Sequence, residues 1–317
     1  MHAGRKGEPG ADGPLAALIL DGARPGIVRA TALSLLPQFA ADTGPEQIKA
    51  YLGGVQDGDP LVRLAAVDAM EPFEAAERLA VVAPLLSDKV KAVRIAAARS
   101  LAGLPAASLS PERQQALDRA SAELIESEQA TSERPESQIS IGAFQAQRGR
   151  YAEAESAYRE ALRLDPKSAP AMVNLADLYR QMNRDADAER VLQDAIAVAP
   201  DYAPAHHALG LRFARAHRLP QALKALRKAA ILAPQDARYA YVYAIALNSA
   251  GRAQDALVIL RQANGQHPAD VDILTALITI SRDAGDRAGA IAFAEQLIHV
   301  APNDPSGKAL LDSLRGP

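Results

Sequence analysis

Small apolar residues recur every 34 positions through the second half of the chain. An alanine column contains Ala154, Ala188, Ala222, Ala256 and Ala290, and a proline column contains Pro166, Pro200, Pro234, Pro268 and Pro302. A further column, seven residues after the first, contains Ala161, Ala195, Ala229, Ala263 and Leu297. A strict period with small residues at fixed offsets predicts stacked helical hairpins. We divide this region, 135–304, into the five units 135–168, 169–202, 203–236, 237–270 and 271–304.

The unit 169–202 shows what the columns mean physically. Its first helix is predicted from an apolar stripe at spacings of three and four, made of Met172, Leu175, Ala176 and Tyr179. Asn183 then marks a left-handed turn, at a position where three other units carry glycine. In the second helix, the small Ala188 predicts a close crossing of the two helices. Pro200 ends the hairpin because proline lacks the amide donor that a helix requires.

These residues carry a resemblance to a known family. Leu175, Ala176, Tyr179, Ala188, Ala195 and Pro200 match the tetratricopeptide repeat pattern, and the other four units match in the same register. The resemblance covers 135–304 and implies an all-α fold, a right-handed α-solenoid. In this family the first helices line the concave face, with offsets two, five, nine, twelve and thirteen of each unit pointing into the groove.

The groove offsets supply the candidate binding residues. They are Ile139, Ala143, Val173, Asn174, Asp177, Arg180, Gln181, His207, Leu211, Arg215, Tyr241, Ile245 and Asn248. Among them Asn174 is at offset six, where family members often hydrogen-bond a peptide backbone. An apolar floor with amide and guanidinium groups suits a peptide or protein ligand. Alternatively, the apolar members simply pack against neighbouring helices. The family's carboxylate clamp is absent, since Ile139 and Ala143 replace its lysine and asparagine.

Residues 14–104 predict about three more helix pairs in a different register. Three predicted second helices, at 27–30, 61–65 and 92–96, each contain a valine followed directly by an arginine. This pattern resembles HEAT-like repeats, in which the arginine bridges to an acidic group of an adjacent repeat. The resemblance therefore implies a ladder joining Arg29, Arg63 and Arg94 to acidic partners such as Asp57, Asp59 and Asp88.

The remaining segments flank or join these arrays. Residues 1–13, with glycine at every third position from Gly4, indicate an open loop. Residues 105–134 predict a connecting helix that starts at Ser110, and we interpret it as a degenerate repeat docked on the first tetratricopeptide hairpin. A flexible tether is the alternative. Residues 305–317 predict a helix that caps the open end of the stack.

The connecting helix has one narrow apolar stripe. Its members are Ala116, Leu117, Ala120, Leu124 and Ile125.

Composition narrows the functional classes. The chain of 317 residues has no cysteine, which excludes disulfides, iron–sulfur clusters and covalently attached haem within it. Its 35 Lys and Arg residues are balanced in number by 38 Asp and Glu residues, so nucleic acid is not the default partner. No apolar run predicts membrane insertion. No catalytic, cofactor-binding or metal-binding constellation stands out, so we expect no enzyme and no cofactor.

A wider resemblance rests on three short segments, Met1–Gly7, Leu109–Arg113 and Arg134–Glu136. Together with the order of the arrays, they resemble the C-terminal region of bacterial multihaem cytochrome c-type proteins. This resemblance implies a cytochrome c-type partner or parent chain, and a periplasmic location. Without it the cytoplasm is the default, since the N-terminus lacks a signal-peptide core. The leading hypothesis is a non-catalytic protein–protein interaction scaffold, and the alternative is an accessory scaffold region of such an electron-transfer protein.

Overall fold

The structure is a computed structural model that describes residues 1–8, 10–42, 44–301 and 305–315. Every regular element in these ranges is a helix, which confirms the all-α prediction. None of these helices is both long enough and apolar enough to cross a membrane. The chain forms two compact units, Met1–Ala157 and Tyr158–Pro317. Pro302 and the last two residues of the predicted C-terminal helix lie outside the described ranges.

The first unit contains nine α-helices within the described residues and the start of a tenth, with 3₁₀ helices at Leu36–Asp42, Ala83–Ser87 and Ala106–Ser108. The α-helices are α1 His2–Arg5, α2 Asp12–Leu20, α3 Gly26–Leu35, α4 Pro45–Val55, α5 Pro60–Ala69, α6 Ala75–Val82, α7 Lys91–Leu101, α8 Pro111–Gln129, α9 Pro135–Gln147 and α10 Tyr151–Leu164. Helices α2 and α3, α4 and α5, and α6 and α7 pack as pairs. Membership of these pairs in the HEAT family stays a prediction. The boundary between the compact units falls inside α10, so the first predicted 34-residue unit contributes to both.

Buried arginines link successive helix pairs in the first unit. Arg29 donates from its guanidinium to Asp57 at 2.6 Å. Arg63 makes a two-pronged contact with Asp88, at 2.6 and 2.9 Å, and also donates to the Asp57 carbonyl at 2.8 Å. Each arginine therefore joins its own helix to the loop before the next second helix. The predicted ladder is confirmed for these two steps.

The third step of the ladder has a partner that the pattern did not indicate. Arg94 forms a two-pronged contact with Glu123 of α8, both distances being 2.8 Å. Asp59, which was an expected partner, instead caps α5 by accepting from the Leu61 amide at 2.9 Å. The short side chain of Asp59 is adjacent to the free amides at the start of α5. It accepts its hydrogen bond from its own helix and is therefore not used as a partner by an arginine of the ladder within the described residues.

The N-terminal segment is an open loop only in part, which corrects the sequence prediction. It forms α1, and α2 begins at Asp12. Gly4 is buried against Leu15, and a Cβ on Gly4 would lie 3.0 Å from a Leu15 methyl carbon. The Gly4 carbonyl also accepts a hydrogen bond from the Gln38 side chain. These tertiary contacts order a segment whose glycine content alone predicts flexibility.

Helix α8 is part of the first unit's core. Leu117 and Leu124 are fully buried, and Ala116 and Ala120 are nearly so. The helix packs against both α7 and α9. Its starting cap is the predicted one, with the Ser110 hydroxyl accepting from the Arg113 amide at 3.3 Å. This packing agrees with the interpretation of a docked helix rather than with a tether.

The second unit is built from four helix pairs and a final helix. They are α11 Ala169–Gln181, α12 Asp185–Val198, α13 Ala203–Arg215, α14 Leu219–Leu232, α15 Ala237–Ser249, α16 Ala253–Gln266, α17 Val271–Asp283, α18 Arg287–Val300 and α19 Pro305–Arg315. The crossing alanines Ala188, Ala222, Ala256 and Ala290 are at most 2% exposed. Between α13 and α14 the approach is closer still, because a Cβ on Gly210 would lie 2.6 Å from Leu226 Cγ.

The turn inside each tetratricopeptide hairpin is left-handed, as the sequence predicts. Gly149, Gly251 and Gly285 have φ of 71°, 74° and 82°, and Asn183 has φ of 57°. His217 occupies the same position with φ of 56°. A residue with a Cβ is strained in this conformation, whereas glycine is not.

Helix α19 covers the end of the second unit. Leu311 and Leu314 are buried, and α19 packs against α18. The Arg287 guanidinium donates to the carbonyls of Leu314 and Arg315, both at 2.6 Å. A cation at the carboxyl end of a helix satisfies free carbonyls and complements the helix dipole. The predicted capping helix is therefore held by both apolar and polar contacts.

We expect Arg63→Met to lower the free energy of unfolding of the first unit by about 3–5 kcal/mol, since it leaves a buried carboxylate unpaired. In the wild type, Asp88 accepts hydrogen bonds from Arg63. These bonds lower the pKa of Asp88 by more than burial raises it, so the pKa lies below its usual range. The stabilisation from Asp88 is therefore present above the ordinary aspartate pKa and is lost as the pH falls through the lowered one. Urea unfolding measures the change. The control is Arg24→Met, whose exposed pair with Asp21 should contribute less than about 1 kcal/mol; equal effects of the two variants would contradict the ladder.

We expect His217→Gly to raise the free energy of unfolding by about 0.5–1 kcal/mol. The change relieves a left-handed backbone strain of about 1–2 kcal/mol, but part of this gain is offset because glycine loses more conformational entropy on folding. The converse change, Gly251→Ala, should lower it by a comparable amount. Thermal or urea unfolding checks both variants. A loss of stability in His217→Gly would mean that the imidazole makes a stabilising contact that outweighs the strain.

Candidate functional site

Seven of the thirteen predicted groove residues line one cleft of about 370 Å³ in the second unit, here named the His207 cleft. Its predicted members are Val173, Asn174, Asp177 and Arg180 of α11 and His207, Leu211 and Arg215 of α13. The cleft forms because the first helices of successive pairs lie side by side and present the same offsets to one surface. Val173 and Leu211 are half-buried, so part of each apolar side chain remains accessible.

The other predicted residues lie outside the lining of this cleft. Gln181 is next to it and donates to Asp177 at 2.9 Å. Tyr241, Ile245 and Asn248 lie further along on α15. Ile139 and Ala143 belong to α9, in the first compact unit. The strongest candidate is therefore a local cleft formed by two consecutive first helices and the start of a third.

His207 is the most unusual group in the cleft. The residue is only 8% exposed, and within the described residues neither ring nitrogen has a hydrogen-bond partner. Its ring contacts the Tyr239 ring at a centroid distance of 4.8 Å. Burial, with a smaller effect from the Arg238 cation, lowers the pKa of His207 to about 4. The imidazole is therefore neutral at pH 7, with one nitrogen able to donate and the other able to accept.

The cleft carries more positive than negative charge. Arg180, Arg212, Arg215 and Arg238 face Asp177 and Asp236 across it. Asp177 is already engaged, accepting from Arg180 at 2.7 Å. Burial acts against its ionisation, but hydrogen bonds from Arg180 and Gln181 prevail and hold the pKa of Asp177 below its usual range.

Two of the cations are uncompensated. Arg212 contacts Asp185 at 3.4 Å and Glu189 at 3.7 Å. In contrast, no carboxylate in the described part of the chain lies at ion-pair distance from Arg215 or Arg238. Both side chains are exposed at the edge of the cleft. They are available to an anionic group of a ligand.

The sequence analysis missed part of the lining, namely Arg212, Asp236, Arg238 and Tyr239. Arg238 is at offset two of its unit, one of the groove offsets, so the family pattern could have identified it. Tyr239 is at offset three, which the pattern does not assign to the groove. It reaches His207 because Asp236 starts α15 there, accepting from the Arg238 amide at 3.0 Å. Only the tertiary packing of α13 and α15 indicates this contact.

Comparison with known proteins agrees with this architecture. Two tetratricopeptide repeat families match the chain, one at residues 145–212 and 247–314 and the other at 113–169 and 207–270. No curated protein matches the chain in sequence.

Several solved structures are similar in fold. PilW, described as a widely conserved type IV pilus biogenesis factor, aligns with a TM-score of 0.51 and 19% identity, covering 71% of this chain and all of its own. MamA aligns with a TM-score of 0.46 and 19% identity, over 55% of this chain and 93% of its own. YrrB, described as a tetratricopeptide repeat protein with an unusual peptide-binding site, aligns with a TM-score of 0.45 and 17% identity, over 59% of this chain and 96% of its own.

The sequence period, the left-handed hairpin turns, the buried crossing alanines and the family matches agree with one another. Residues 113–314 of this chain belong to the tetratricopeptide repeat family.

Proposed function

We propose that this protein is a non-catalytic interaction scaffold, and that the His207 cleft binds a peptide segment of a partner protein. The observation that carries the proposal is the pair of exposed cations at the edge of the cleft, Arg215 and Arg238, which have no carboxylate at ion-pair distance among the described residues. An acidic group of a bound peptide supplies the missing counter-charge. The His207 ring nitrogens are themselves buried, so this ring forms part of the cleft wall with Tyr239.

The cleft's other groups define the class of peptide. The half-buried Val173 and Leu211 offer an apolar contact, and the Asn174 side chain lies beside them. Arg215 and Arg238 add two exposed cations at the edge. This combination favours a segment in which an apolar residue is close to an acidic one. A cleft of about 370 Å³ is sufficient for one or two side chains of such a segment.

The cellular compartment and the cytochrome c-type partner stay predictions from the sequence. The DNA upstream of this reading frame, searched for Cys-x-x-Cys-His motifs, bears on both.

We expect the wild-type protein to select acidic sequences from a displayed library of short random peptides, because the cleft has unpaired cations. Arg215→Glu and Arg238→Glu should each weaken the binding of a selected peptide by about tenfold, or roughly 1.4 kcal/mol. Fluorescence anisotropy measures the affinity. Lys308→Glu makes the same charge change on the exposed face of α19 and should leave binding unchanged. Selection of the same peptides at equal affinity by all four proteins would refute the cleft as the binding site.

We expect the His207→Phe variant to respond differently to acid. The folded pKa of about 4 lies below the unfolded value of about 6.5, so the unfolded chain binds more protons between these values. The wild type therefore loses stability as the pH falls through this window, by about 3 kcal/mol in full. Replacing the imidazole removes this loss. Urea unfolding across the window measures it, and parallel pH dependences of the two proteins would contradict the burial of a neutral His207.

A further inference from the structure

A second groove in the second unit lies between the second helices α14 and α16. Its volume is about 1130 Å³, and its floor includes Phe213, Tyr243 and Leu247. An adjoining recess of about 380 Å³ continues it to Pro234 and shares Arg227, Ile231, Tyr243 and Ile259 with it. We name the whole the α14–α16 groove. It exceeds the usual size of a small-molecule pocket.

Two large apolar side chains on its walls are exposed without a packing reason. Ile231 is 60% exposed and Val258 is 61% exposed. The period of 34 allows a comparison inside the chain. The register of Ile231 holds Arg163, Ala197, Gly265 and His299 in other units, and that of Val258 holds Ser156, Arg190, Lys224 and Ala292. The repeat fold thus accepts polar or small residues at both positions, and the apolar side chains serve something other than folding.

The charge along the groove is one-sided. Helix α14 has three cations, Lys224, Arg227 and Lys228, and no acidic residue. Among the described residues neither Lys224 nor Arg227 has an ion-pair partner, and Lys228 makes only an exposed contact with Asp201 at 3.5 Å. On the opposite wall, Arg252 and Asp255 neutralise each other at 2.7 Å. A basic edge within a chain of net charge −3 is complementary to an acidic partner.

The geometry points to an occupant with helical form. From these observations we propose that the α14–α16 groove is a docking site for an acidic amphipathic helix of a partner protein. From Gln221 to Ile231 the groove follows α14 for about 15 Å, at 1.5 Å per residue, which corresponds to about three turns of a helix. Its walls are helices, so they offer no strand edge to an extended peptide. The apolar face of the partner contacts Ile231, Val258 and the floor, and its acidic face lies along α14.

A synthetic amphipathic helix with leucine on one face and glutamate along its flank is the probe, with a lysine-for-glutamate version as its control. Fluorescence anisotropy measures binding to the full chain. The acidic probe should bind, and the basic version should bind at least about tenfold more weakly. Equal binding of the two probes would overturn the proposal, since a hydrophobic surface alone would explain it.

The variants Val258→Arg and Ile231→Arg test the apolar contact, and both keep the fold because Arg190 and Arg163 occupy the same registers. Circular dichroism verifies folding. Each variant, and Arg227→Glu, should weaken the acidic probe by about tenfold or more. Lys308→Glu on α19 lines neither groove and should leave the binding of the acidic probe unchanged. If Arg215→Glu weakens the acidic probe and Val258→Arg and Ile231→Arg do not, the probe binds the His207 cleft, which overturns this proposal and leaves the proposed function standing.

Two other occupants would overturn the proposal. If the wild type sediments as a dimer that Val258→Arg converts to a monomer, the groove joins two copies of this chain. If anionic lipid vesicles bind the wild type and the acidic probe does not, the basic edge contacts a membrane surface instead.

Discussion

The close crossing of the two helices in each hairpin is the constraint on which the second unit depends. Ala188, Ala222, Ala256 and Ala290 are buried at these crossings, and enlarging a side chain in a close-packed core forces the surrounding elements apart. The left-handed turn reverses the chain within a few residues, so the second helix of each pair begins directly beside the end of the first. Because each pair satisfies these demands with small residues and a turn, the remaining positions are free to vary. A single hairpin still cannot bury its apolar stripe, so the pairs must stack.

In the first unit, ion pairs as well as apolar burial hold successive helix pairs together. Arg63 and Asp88 are both nearly excluded from solvent, with side-chain exposures of 6% and 7%. Their two-pronged geometry, together with the Asp57 carbonyl, satisfies most of the polar groups that burial removes from water. Such a pair fixes the position of one helix pair against the next more narrowly than apolar contact does. The ladder then reaches α8 through Glu123, which makes α8 a structural member of the unit.

The residues of both proposed binding sites are at variable positions of the repeat. Arg215 and Arg238 are exposed at the edge of the His207 cleft, and neither has a carboxylate at ion-pair distance among the described residues. Ile231 and Val258 are exposed at registers where other units of the same chain carry polar or small residues. Exposed apolar side chains such as these favour association with a partner. In the proposed complex at the α14–α16 groove, a bound helix removes this apolar surface from water.

The sequence by itself determined the repeat length, the crossing alanines and the left-handed turns, since each depends on local geometry that recurs with the period. The arginine ladder was expected only from the resemblance to HEAT-like repeats, which implied acidic partners without pairing them to particular arginines. The sequence also indicated Val173 and His207 as neighbours, because equal offsets on adjacent first helices face one surface. Tertiary structure alone decided the ordering of α1 around Gly4, the Arg94–Glu123 contact, the stacking of Tyr239 on His207, and the opening between α14 and α16. Each of these depends on how separate elements pack, and no periodic signal in a single chain specifies the distance between two such elements.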